Sequence, residues 1–148
     1  MRINLIRFLA TSCLLLPIGL HAQGVFQESL ALNSELLVLV SENPLEPRSV
    51  GSYTVNAYAV DIPEQPYDRF IAGLVLPRDG FVEKIKIVDL NSDGDKELVV
   101  IIRSAGTGGY LSADAFDINR DGLTFLKKAT GLAADANPVS ALTKTELE

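Results

Sequence analysis

Between Leu98 and Leu126 the chain doubles back on itself twice, and that constrains its fold more than any other stretch. Leu98–Ile102 is an unbroken apolar run, LVVII, followed by a glycine-rich segment with Gly106, Gly108 and Gly109. Tyr110–Ile118 comes next, then the turn sequence Asn119-Arg120-Asp121-Gly122, then Leu123–Leu126. Strands joined by connections this short pair antiparallel. Five consecutive apolar residues further predict a central strand covered on both faces.

The upstream residues extend the pattern. Leu36–Val40 is apolar and stops at Glu42-Asn43-Pro44. Ser52–Val60 places Tyr53, Val55, Ala57 and Ala59 on one side, as a strand of period two does. Asp61–Asp68 contains Pro63 and Pro66 and reads as a loop, Phe70–Leu76 resumes the strand pattern, and Pro77-Arg78-Asp79-Gly80 closes it with turn chemistry. In Phe81–Val88, Phe81, Ile85 and Ile87 alternate with Lys84 and Lys86, which predicts a strand wet on one face. The expected fold is all-β, an antiparallel β-sandwich or flattened barrel of about seven to eight strands. Gln23–Asn33 carries no decisive pattern and is compatible with a short helix, and the tail from Ala133 is expected to run over the surface.

Residues 1–22 read as a secretory leader. Arg2 and Arg7 give a positive start, Phe8–Leu20 an apolar core, and Leu20-His21-Ala22 a cleavage site before Gln23. The apolar run is broken by Pro17 and falls short of the ~18–20 residues that a membrane span needs. A lipoprotein reading through Cys13 is disfavoured, because most of the apolar stretch follows that cysteine. Cleavage leaves a single domain, 23–148, and removes both Cys13 and His21, the chain's only cysteine and histidine. A mature domain without either has no intramolecular disulfide, no Ser-His-Asp or Cys-His site and no zinc site built on imidazole or thiolate. It keeps 11 basic against 19 acidic residues, a formal net of −8. Such a balance argues against nucleic acid as a partner and suits a basic protein.

Two constellations stand out. The first is Arg103–Ala115, RSAGTGGYLSADA. Its three glycines permit a narrow projecting tip. Arg103, Ser104, Thr107, Tyr110 and Ser112 concentrate hydroxyls, one aromatic and a long donor around that tip, which suits entry into another molecule's cleft. Plain hairpin punctuation is the alternative. The second is Asp89-Leu90-Asn91-Ser92-Asp93-Gly94-Asp95-Lys96-Glu97, whose alternating oxygens and sixth-position glycine match the start of a calcium loop. Position twelve is Val100, so the candidate ligands reduce to Asp89, Asn91, Asp93 and Glu97. A tight turn of Asn, Asp and Gly explains the same spelling, and Asp117–Gly122 repeats it at a simple hairpin. No pair of carboxylates is singled out for catalysis, and the chain reads as a non-enzyme.

Pro47-Arg48-Ser49-Val50-Gly51-Ser52-Tyr53, Arg78-Asp79-Gly80, Asp89-Leu90-Asn91 with Glu97-Leu98-Val99-Val100, and Arg103–Phe116 together resemble the bacterial periplasmic inhibitors of i-type (invertebrate-type) lysozyme. The likeness runs from Leu36 to Leu132 and is carried most specifically by RSAG…YLSADAF. It implies a periplasmic β-sandwich-like inhibitor that plugs the lysozyme cleft with a Ser-Gly-x-Tyr-type loop. The partner so implied is a basic glycosidase, and no cofactor is involved. The matching positions are Thr107, Gly108, Gly109 and Tyr110, with threonine where serine is usual and Ser104 as an alternative hydroxyl. The residues leave a second reading open: a calcium-stabilised periplasmic module that binds glycan or an envelope protein, with calcium held at the Asp89 loop.

Overall fold

A computed structural model describes residues 24–144; the expected leader lies outside them. The described residues form eight strands and a short helix. The strands are β1 (Gln27–Ala31), β2 (Leu36–Glu42), β3 (Val50–Ala59), β4 (Arg69–Asp79), β5 (Phe81–Val88), β6 (Glu97–Arg103), β7 (Leu111–Asn119) and β8 (Gly122–Leu132), and the helix is α1 (Pro138–Lys144). They make two antiparallel sheets, β1-β2-β3-β4 and β5-β6-β7-β8, each with its strands in chain order. Of the two architectures expected, the chain adopts the sandwich. No helix among the described residues is long and apolar enough to cross a membrane.

Alternation dictates which face each strand buries. Tyr53, Val55 and Ala57 of β3 meet Leu98, Val100 and Ile102 of β6 in the core between the sheets, with Val38, Val40, Phe116 and Ile118. The other face of β6, Val99 and Ile101, packs with Ala113, Ala115 and Leu142 in a second core. Strand β6 is thus covered on both sides, as its uninterrupted apolar run predicts.

Four local expectations need correction. The strand expected to close at Pro77-Arg78-Asp79-Gly80 instead continues through Asp79, with Pro77, Arg78 and Asp79 paired with Ser52, Gly51 and Val50, and only Gly80 makes the corner. The described part of Gln23–Asn33, residues 24–33, is no helix: it contains β1, paired with β2 from Gln27↔Ser41 to Ala31↔Leu37. Phe26 and Leu30, four apart, mimic a helical face, yet an even spacing also puts both on one side of a strand, and both pack against the inter-sheet core. In β5 the register shifts between Val82 and Lys84. That bulge resets the parity, so Val82 and Ile85 enter the core while Phe81 lies beneath the Arg48 guanidinium, 3.8 Å from its ring centre. The tail does not simply run over the surface. Asn137 caps α1 by accepting from Val139 N at 3.1 Å and Ser140 N at 3.4 Å, Pro138 occupies the first turn, and Leu142 is fully buried against the outer face of the second sheet.

Candidate functional site

Three connections meet at one end of the sandwich: the β2–β3 loop (43–49), the β4–β5 corner at Gly80 and the β6–β7 glycine loop (104–110). The corner exists because Gly80 adopts φ +106°, and a Cβ there would collide with the Arg103 carbonyl. Its amide donates to Ser49 O at 2.8 Å. Arg78 sits beneath, 3% exposed, with Nε 3.2 Å from a Glu42 carboxylate oxygen. It donates to Ser52 O at 3.1 Å, Arg48 O at 3.0 Å and Pro47 O at 3.2 Å, and also to Gly80 O. Arg78 and the Pro47–Tyr53 block, read from sequence only as family spelling, therefore form one buried brace.

The glycine loop is held in a single shape. Ser104 N donates to Tyr110 O at 2.8 Å and closes its base, and Gly109 N donates to Gly106 O at 3.1 Å and closes a turn at its tip. The Ser104 hydroxyl oxygen accepts from Gly106 N at 3.2 Å. Gly109 has φ +54°, and a Cβ on Gly108 would lie 2.9 Å from Cδ2 of Tyr110 and nearer still to Cε2. The ring thus lies close against a glycine that has no side chain to obstruct it. Thr107 is exposed at the tip, and Tyr110 is 58% exposed.

Arg103 is engaged within its own chain. Its guanidinium pairs with Glu83 of β5 and donates to Gly109 O at 2.9 Å and Ala134 O at 3.5 Å. The hydrogen bond from Arg103 holds the Glu83 carboxyl below its usual range. Ser112 lies half-buried at the loop's foot. Ser104, Tyr110 and Ser112 share a cleft of about 300 Å³ with Asp79, Lys128 and Thr130. Lys128 Nζ also lies 3.5 Å from Oδ1 of the fully buried Asp114, whose Oδ2 accepts from the Tyr53 hydroxyl at 2.5 Å. Burial, then the Asp114 charge, pushes the Tyr53 phenol far up. At this end Arg78, Arg103 and Glu83 are paired within the chain, while Thr107, Tyr110, Arg48 and Asp79 are exposed.

Sequence reasoning missed Glu83, Asp79, Lys128 and Asp114. Asp79 and Asp114 stood in the sequence only as family spelling, and Glu83 and Lys128 carried no local signal, since each is brought in by sheet pairing rather than by spacing along the chain.

The Asp89 loop lies at the opposite end of β6. Asp89 accepts from Ser92 N at 2.6 Å and Gly94 N at 3.0 Å. Asn91 accepts from Asp93 N at 3.1 Å and donates to Asp93 Oδ2 at 2.6 Å, and Asp93 accepts from Asp95 N at 2.8 Å. Glu97 is 5% exposed and accepts from Leu90 N at 2.7 Å; burial raises its carboxyl pKa. The four candidate ligands thus serve the turn's own backbone. Among the described residues no group of three or more His, Cys, Asp or Glu is placed to hold a metal ion. Asn119 closes the β7–β8 turn likewise, accepting from Asp121 N at 2.8 Å and Gly122 N at 3.0 Å.

Comparison with known proteins converges on one family. The family described as periplasmic lysozyme inhibitor of I-type lysozyme matches residues 25–146. The crystal structure of an Aeromonas hydrophila periplasmic inhibitor of I-type lysozyme is similar at 47% identity and a TM-score of 0.76, over 79% of this chain and 98% of that one. The Aeromonas hydrophila inhibitor solved in complex with Meretrix lusoria lysozyme is similar at 45% identity and a TM-score of 0.76, over 81% and 97% of the respective chains. No curated protein matches the chain significantly.

Proposed function

The chain belongs to the family of periplasmic inhibitors of I-type lysozyme, and from that membership we propose that it blocks an I-type lysozyme in the periplasm by filling the enzyme's cleft with the 104–110 loop. It is an inhibitor and not an enzyme. The observation that carries the loop assignment is its construction. A hydroxyl-bearing tip and an exposed aromatic are held in one shape by hydrogen bonds at base and tip and by the Arg103 fork. A loop ordered before binding loses little conformational freedom on docking.

The chemistry follows from the target. A lysozyme cleft holds two carboxylates flanking the scissile bond, one of them protonated for general-acid work. The Thr107 hydroxyl can donate to the ionised carboxylate while its oxygen accepts from the protonated one. Threonine retains that function, and its extra methyl stiffens χ1 relative to serine. Gly106 and Gly108 bring bare backbone to the cleft floor, where sugar otherwise lies. Tyr110 serves as the aromatic anchor typical of interface hot spots. Inhibition is by occupancy, and the Asp89 loop, at the far end, takes no part in it.

The test is residual cell-wall lysis by an I-type lysozyme, and in parallel by a chicken-type enzyme, against increasing protein from Gln23 onward. Near-stoichiometric loss of the I-type activity is expected. The Thr107→Ala/Tyr110→Ala double variant, with melting temperature unchanged, is expected to lose inhibition. Retained inhibition in that folded variant would remove the loop from the mechanism.

A further inference from the structure

We propose that the β2–β3 loop is a second arm of the lysozyme-binding surface, presenting the Leu45 side chain to the enzyme beside the glycine loop. This rests on the reading of the chain as a lysozyme inhibitor. Size supplies the first reason. A stable protein complex buries ~800 Å² and about 20–30 residues on each side, whereas the glycine loop exposes only Ala105 to Gly108 and Tyr110. The remaining contact has to come from its neighbours at the same end of the sandwich.

The β2–β3 loop is such a neighbour through hydrogen-bonded and packed continuity. Ser49 O receives the Gly80 amide, Arg48 covers Phe81, and Phe81 is paired with Arg103, the residue from which the glycine loop departs. The loop is also built to hold its shape. A guanidinium buried as deeply as Arg78 is tolerated only when fully partnered. The partners it takes are the Pro47 and Arg48 carbonyls and the carboxylates of Glu42 and Glu46, so the buried charge pins the loop. Asn43 Oδ1 accepts from Leu45 N at 3.0 Å, and Glu46 accepts from both the amide and the hydroxyl of Ser52. On this braced support Leu45 is 92% exposed, and Val50 at the loop's end is 59% exposed. A single exposed leucine is ordinary; one held out on a pinned loop beside the binding loop has the form of an interface anchor, and the occupant it faces is the enzyme already seated on Thr107 and Tyr110.

The experiment compares Leu45→Gln and Leu45→Ala with wild type in lysis inhibition and in binding kinetics against the same I-type lysozyme. Val75→Thr, an exposed site on the outer face of the first sheet, is the control. Leu45→Gln is expected to weaken inhibition about tenfold, chiefly through faster dissociation, with the melting temperature unmoved because Leu45 touches little of its own chain. Amide exchange across 43–50 is expected to slow when lysozyme is added. Unchanged inhibition by both Leu45 variants, together with loss of inhibition in Thr107→Ala/Tyr110→Ala, would overturn the second arm and leave the glycine loop acting alone. A wild-type protein that fails to inhibit would overturn both readings together.

Discussion

At the scale of single residues, the three glycines of the loop do different work. Gly109 supplies a positive φ, and Gly108 leaves room for the Tyr110 ring, whereas a Cβ on Gly106 would meet only Ser104 Oγ at 3.5 Å. Gly106 therefore has no internal steric reason to be glycine, which fits the close approach to a partner proposed for it. Gly108→Ala acts through the ring it displaces. It is expected to weaken inhibition about tenfold or more, as Tyr110→Ala does, and the two together should add little to either alone. Gly106→Ala is expected to leave the melting temperature unchanged, weaken inhibition by obstructing close backbone approach, and add nearly fully to Tyr110→Ala. A double-mutant cycle on inhibition constants separates the two cases. Additivity between Gly108→Ala and Tyr110→Ala would show that the glycine acts independently of the aromatic.

At the scale of elements, the loop depends on β5 as much as on its own strands, because Glu83 holds Arg103 and Arg103 holds Gly109 O. Glu83 is itself the extra residue of the β5 bulge, between Val82, paired with Ile102, and Lys84, paired with Ile101. The pairing predicts a pH dependence. The Glu83 carboxyl titrates below its ordinary 4.5 in the folded protein, so the folded state binds its proton less readily than the unfolded one. Its contribution to stability is fully present above that ordinary value and is lost as pH falls through the lower folded value. The difference in melting temperature between wild type and Glu83→Gln is therefore expected to be constant from neutral pH down to about the ordinary carboxylate range and to vanish below it. A gap that persists in strong acid would mean that Glu83 supports β5 by packing rather than by charge. The same elements show why local reading of the sequence fell short here. A bulge leaves apolar and polar residues in nearly the order of a regular strand, and Phe26 with Leu30 fit a helix and a strand equally well.

Over the whole molecule, the fold was legible because it is written in short-range terms. Tyr53, Val55 and Ala57 alternate, Leu98–Ile102 runs apolar without a break, and glycine and asparagine mark the hairpins, each visible within ten residues. The glycine loop was legible as a composition for the same reason. Its bracing was not, because Glu83 is 20 residues from Arg103 and Ala134 is 31, distances closed only once the sheets are assembled. That division also sets how charge acts on binding. Arg103, Glu83, Arg78, Glu42 and Glu46 are committed to pairs within the chain, while the groups proposed to meet the enzyme, Thr107, Tyr110 and Leu45, are uncharged. The net of −8 expected on removal of the leader is then expected to act chiefly at long range, steering encounter with a basic lysozyme rather than holding the complex. Raising ionic strength from ~0.01 M to ~1 M shortens the Debye length from roughly 30 Å to 3 Å. The association rate is expected to fall by at least about tenfold over that range, while the dissociation rate changes little. Stopped-flow association and surface-immobilised dissociation measure the two separately. A dissociation rate that climbed as steeply as association fell would place ion pairs inside the interface. Such pairs would come from the exposed Arg48 and Asp79 at the same end, or from Arg103 exchanging Glu83 for a partner on the enzyme. Only the last would mean a loop shaped by binding.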